Sequence, residues 1–169
     1  VSSLRTVFDL ADDADLIVTI GGASVGDHDL VAQAAQELGM ERAFYKVAMR
    51  PGKPLMAGRL GDAVMIGLPG NPVSAMVCGH VFLTPVVQHM QGLPASGRIR
   101  QKAPLAAPVD ANGPRAHYMR ARLDGDGLRV FSRQDSALLG VLAQADALVV
   151  RPPHDPPRAA GEMVEYIAI

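Results

Sequence analysis

Apolar residues in the first part of the chain alternate between helical spacing and continuous runs. The opening segment VSSLRTVFDLADDA puts Leu4, Val7, Phe8 and Leu10 on one helical face. DLIVTI, from Asp15 to Ile20, is an uninterrupted apolar run of the kind buried in a parallel sheet, and it ends at a glycine pair. A helix is predicted from Asp29 to Leu38, with Gly39 as its C-terminal stop. RAFYKVAM reads as the next strand, RPGKP as a loop and AVMIGL as another strand. The longest helix follows, with Asn71 as N-cap, Pro72 in the first turn and an end near Gln91, and Pro85 should bend it. Strand-helix units ordinarily begin with a strand, so the opening helix suggests the C-terminal piece of a longer protein.

After GLPASG the pattern changes to short segments alternating apolar with polar residues, split by Gly, Pro and Asp. HYMRARLD, LRVFSR, ALVVRPP and EMVEYIAI are of this kind, with ALLGVLAQA as a short helical insert. The predicted fold is α/β, with an incomplete parallel domain over residues 1–94 and a small β-barrel-like domain over residues 95–169.

Composition narrows the function classes. Hydrophobic residues make up 49% of the chain, which excludes a disordered polyelectrolyte, and the net charge of −1 provides no global field for nucleic acid or an anionic membrane. Neither is expected as a partner. A single cysteine, Cys78, leaves no disulfide framework and fits a reducing cytoplasm. No apolar run approaches a membrane span. The five histidines show no metal-ligand spacing.

Three loops carry candidate chemistry. GGASVGDHD follows a buried strand and leads into a helix, so its backbone can approach a ligand closely, although for this stretch alone a turn capped by Asp27 or Asp29 is the favoured reading. Asp29 can hold Mg²⁺ or position water, or simply complement the helix dipole. RPGKP presents Arg50 and Lys53 from a stiff turn, which alone reads as a solvated basic loop. GLPGNPVSA brings Gly70, Asn71 and Ser74 to a helix N-terminus suited to an oxyanion. Strands of one parallel sheet could deliver all three loops to one edge. Their convergence would build a site for a highly anionic ligand. In the second half, Arg115, His117 and Met119 alternate with Tyr118, Arg120 and Arg122, for which a solvated sheet face is the simpler reading. Asp135 or Ser136 is expected to cap the short helix.

These motifs, in this order and ahead of a small β domain, resemble the molybdopterin molybdenumtransferases, a family that includes the E domain of gephyrin. The resemblance is strong from Asp15 to Gly92 and weaker beyond. It implies a partial three-layer molybdopterin-binding domain and an enzyme of molybdenum cofactor biosynthesis. Such an enzyme cleaves adenylylated molybdopterin with Mg²⁺, inserts molybdate and releases AMP. By motif, Asp29 matches the carboxylate implicated in metal binding and hydrolysis. Lys53, Pro54 and Ser74 match positions around molybdate or phosphate, and Gly21, Gly22 and Ser24 match the pterin-phosphate loop. Arg50 stands where the family usually has lysine. Arg115 and Arg120 correspond to paired arginines, and Ser136 to a Gln-x-Ser turn in which Ala137 replaces a common second serine. The family also implies a homodimer in the full-length form. Readings from other classes are a peptide-binding scaffold of gephyrin type and a non-catalytic pterin-phosphate or nucleotide-binding protein.

Overall fold

A computed structural model describes residues 2–22, 30–94 and 97–169, arranged as two compact units. The first comprises Val1–Val47 and Gly52–Cys78, the second Ala48–Pro51 and Gly79–Ile169.

In the first unit, α1 (Ser2–Asp9), β1 (Leu16–Ile20), α2 (Leu30–Glu37), β2 (Glu41–Tyr45), β4 (Met56–Leu60), β5 (Ala63–Leu68) and α3 (Pro72–Cys78) surround a sheet of order β1-β5-β4-β2. Only β1 and β5 are parallel, while β4 runs antiparallel to both β5 and β2. The expected parallel sheet is therefore mixed. The strand β4 was not foreseen because MAGRL is short and carries a central glycine. That glycine, Gly58, is required, since a Cβ there would lie 2.3 Å from the Glu41 carbonyl oxygen and 2.9 Å from Arg42 Cα. The core unites Phe8 of α1 with Val31, Ala34 and Ala35 of α2 and with Met40, Met56 and Met65. An Arg5–Glu37 ion pair of 2.5 Å joins the two helices at their exposed edge.

RAFYKVAM does not form one strand. Lys46 adopts a left-handed backbone (φ 68°), and the chain leaves β2 to enter β3 (Met49–Arg50), which belongs to the other sheet. The long helix is also divided. A five-residue π-helical turn, Gly79–Leu83, separates α3 from α4 (Thr84–Met90). Pro85 near the start of α4 has no N–H for the preceding turn, and the Thr84 hydroxyl donates to the Gly79 carbonyl at 3.2 Å instead. The stretch Pro72–Met90 is long and apolar enough by composition to cross a membrane, which the sequence reading did not anticipate. Its first part instead buries Val73, Val77 and Cys78.

The second unit has a sheet of order β3-β7-β9-β10-β6, formed with β6 (Gln101–Pro104), β7 (Ala116–Asp124), β9 (Ala147–Arg151) and β10 (Met163–Ala168). β8 (Gly127–Val130) pairs with β7. A bridge between Leu105 and Leu128 brings the end of β6 back to β8, so the sheet curls without closing as a barrel of continuous ladders. Leu105, Ala121, Leu128, Val149, Val164 and Tyr166 fill the curl. Gly127 makes that return possible: its φ is 110°, and a Cβ would lie 2.3 Å from the Pro104 carbonyl oxygen. Gly127→Ala should destabilise this unit by about 2–3 kcal/mol through strain and overpacking, read as a lowered denaturation midpoint. Gly125→Ala, with open space around its Cβ, should cost far less.

Candidate functional site

Parallel pairing sets Thr19 opposite Gly67 and Ile20 opposite Leu68, so β1 and β5 end side by side. The Gly21 amide donates to the Leu68 carbonyl at 3.1 Å and carries the pairing into the loops. There the backbones nearly touch: a Cβ on Gly70 would stand 3.2 Å from Gly21 Cα. Gly21 and Gly22 take left-handed backbone angles of 84° and 74°, which L side chains rarely adopt. Met56 lies opposite Gly67, so β4 starts where β5 ends. The Lys53–Leu55 segment therefore enters the sheet at the same rim, by antiparallel pairing instead of the parallel route expected. Lys53 is exposed and its carbonyl accepts from the Val47 and Leu55 amides, while Pro54 is half-buried. Ser24, Asp27 and Asp29 lie outside the described residues.

Asn71 does cap α3. Its Oδ1 accepts from the Ser74 amide at 3.2 Å and from the Ser74 hydroxyl at 3.4 Å. Ser74 is buried, so its donors turn inward to the cap. Cys78 closes α3 with Sγ 3.8 Å from the Gly52 carbonyl oxygen, and burial pushes its thiol up to about 12.

In the second unit, Arg120 departs from the solvated face expected of it. It is fully buried, and Gln134 wraps it. Gln134 Oε1 accepts from Arg120 Nε and Nη2 at 3.2 Å each and from the Arg120 amide at 3.0 Å. Gln134 Nε2 donates to the Arg120 and Phe131 carbonyls, and Arg120 Nη1 donates to the Asp135 carbonyl. Burial, then Arg50, holds the Arg120 guanidinium below its ordinary value. Arg122 is exposed as foreseen, and Arg115 is exposed just before β7. Ser136 sits in a turn before α5 (Leu139–Leu142). The helix cap falls at Leu138 without a side-chain bond, while Asp135 Oδ1 accepts the Ala137 amide.

Residues 2–89 match the family model described as a probable molybdopterin binding domain, and residues 102–169 match the MoeA C-terminal region (domain IV). The chain belongs to the molybdopterin molybdenumtransferase family. Molybdopterin molybdenumtransferase 2 of Mycobacterium tuberculosis is 37% identical over 164 residues, covering 92% of this chain and 40% of that protein. The molybdopterin molybdenumtransferase of Nostoc sp. is 34% identical over 161 residues, covering 88% and 36%. Among solved structures, a molybdopterin biosynthesis MoeA protein from Pyrococcus horikosii superimposes with a TM-score of 0.79 at 27% identity, covering 98% of this chain and 40% of that one. The chain thus spans about 40% of the length of these molybdenumtransferase relatives.

Sequence reasoning overlooked a buried charge network in the second unit. Arg151, 2% exposed, donates Nε to Asp155 and Nη2 to the Asp110 and Pro156 carbonyls, and Asp155 also accepts from Arg158 at 2.5 Å. Hydrogen bonding by Arg158, then by Arg151, holds the Asp155 carboxyl below its ordinary value. The available signal was RPPHDPPR itself, where prolines fix a tight return between opposite charges. Nearby His117 is buried, and burial followed by the fields of Arg50, Arg120, Arg151 and Arg115 lowers it to about 4.

Three outcomes are expected. Gln134→Ala removes the acceptor of a buried guanidinium and should cost about 2–4 kcal/mol in denaturant unfolding. Asn71→Ala should cost about 1 kcal/mol through the lost cap. His117 stays neutral when folded, so stability should fall with pH from its ordinary 6.5 towards about 4 as the unfolded chain alone takes up the proton. His117→Gln should abolish this part of the loss, which amounts to about 3 kcal/mol at two and a half units; unfolding midpoints measured across that range check it.

Proposed function

We propose that this chain provides part of the active site of an enzyme that inserts molybdate into adenylylated molybdopterin and releases AMP. The observation carrying the proposal is the common rim of the first unit, where the Gly21–Gly22 turn, the Gly70–Asn71 turn and the Lys53–Pro54 segment arrive together. Left-handed glycine turns let backbone amides approach a phosphate, and Lys53 brings a positive charge to the same end. Arg50, Arg115, Arg120 and Ser136 are assigned to the anionic substrate by their match to the family motifs. The buried, fully bonded Arg120 supports a role in shaping the local field through its charge. Ser74 would contact an oxyanion by rotating its hydroxyl away from Asn71.

Mg²⁺ is assigned to Asp29 by motif alone. Among the described residues no group of three His, Cys, Asp or Glu side chains gathers to hold a metal, and no step here is routed through one. A homodimer in the cytoplasm completes the proposal, on the family resemblance and the single buried cysteine. The test is molybdate-dependent AMP release from adenylylated molybdopterin by the protein that carries this chain. Lys53→Ala should lower that release by about 10²-fold with the fold intact by circular dichroism. AMP release at the same rate without molybdate would refute the reaction.

A further inference from the structure

A cavity of about 450 Å³ lies in the second unit where the end of α4, the chain leading into β6 and the end of β10 meet. Gln88 of α4, Leu93, Arg98, Ile99, Gln101 of β6 and Ala168 of β10 line it. The burial of its central pair runs against their chemistry. Arg98 is partly buried, while Ile99 beside it is 77% exposed and Leu93 is 49% exposed. Water alone favours the reverse, with the isoleucine inside and the guanidinium outside.

The Arg98 charge is also incompletely matched. Its Nη2 donates to the Ala168 carbonyl at 2.7 Å and its Nε is enclosed without a partner, while Nη1, which is not enclosed, has no hydrogen bond among the described residues. Arg100, two residues on, has a carboxylate, Glu165 at 2.9 Å, whereas Arg98 has no ion pair among the described residues. Gln101 Oε1 is occupied by the Tyr166 hydroxyl at 2.5 Å, so Arg98 alone sets the sign of charge in the cavity. His80, in the π-helical turn before α4, senses that charge: burial, then Arg98, hold its imidazole below the ordinary value. A single cation flanked by aliphatic side chains suits one carboxylate on an apolar body better than a multiply charged inorganic anion.

We propose that this cavity binds a small organic carboxylate with an apolar body, its carboxylate on Arg98 and its body over Leu93 and Ile99. The guanidinium fork orients the acid through a charge-assisted bond stronger than the carbonyl bond it makes now. Covering the two exposed aliphatic side chains supplies the hydrophobic part of the affinity. The volume lies within the range of small-molecule sites. The inference uses the second unit alone and does not rest on molybdate transfer.

The test is an NMR titration of the full chain with phenylbutyrate, compared with acetate and with the neutral phenylbutanol. Phenylbutyrate should reach half-saturation at about 1 mM, and the other two should bind roughly tenfold more weakly or less. The bound carboxylate offsets the Arg98 charge and should move the His80 titration midpoint upward, which binding elsewhere would leave in place. Arg98→Gln should weaken phenylbutyrate about tenfold and leave phenylbutanol unchanged, while Ile99→Ser should weaken both about fivefold. If Arg98→Gln misfolds, the His80 midpoint of the unsubstituted chain decides. Binding without saturation, equal affinity for the acid and the alcohol, or a fixed His80 midpoint would overturn the proposal and leave molybdate-dependent AMP release unaffected.

Discussion

Where two backbones approach closely there is little room for a side chain, and at Gly21 against Gly70 a Cβ on Gly70 would be tight while Gly21 is held to glycine by its left-handed backbone. The parallel ladder of β1 and β5 continues through the Gly21 amide into this contact. Any Cβ at Gly70 would meet Gly21 at 3.2 Å, and any at Gly21 would also carry the strain of a left-handed backbone. The rim of the first unit depends on that pair. With it, a turn after β1 and a turn after β5 form one surface, and β4 adds the lysine-bearing segment beside them.

The second unit answers a different constraint. Its sheet curls tightly enough to bury two whole arginines, Arg120 and Arg151, and a guanidinium cannot be left unpaired in such a place. Each is satisfied by a short loop returning to its strand. Gln134 gives Arg120 a neutral clamp, while Asp155 gives Arg151 an ionic one shared with Arg158. The difference matters for the local field. Arg151 is largely neutralised by its partner, whereas Arg120 keeps its charge beneath a neutral amide. His117, beside them in the same sheet, is kept neutral first by burial and then by the surrounding arginine charges.

Much of this was legible in the sequence. The apolar run of β1, the glycine stop after α2, the Asn71 cap and the change to short alternating strands each follow from local rules, because caps, turns and periodicity act within a few residues. The three loops were legible for the same reason: glycine and proline at fixed spacing constrain the backbone whatever surrounds it. Local rules did not show that RAFYKVAM breaks at Lys46 and sends its end to another sheet, nor that MAGRL is a strand held by Gly58. Strand pairing is a contact between distant residues, and propensity is blind to it.

The sequence by itself determined which backbone segments could approach an anion, since the absence of a Cβ and the lock of a proline ring are properties of single residues. Tertiary structure alone decided which charges are buried and bonded. Arg50 and Arg120 are the same residue type on neighbouring strands, yet the Arg50 side chain is exposed with no hydrogen bond or ion pair among the described residues and the Arg120 side chain is buried and bonded to Gln134 and Asp135. Pairing register and loop return, which come from contacts many residues apart, made that choice.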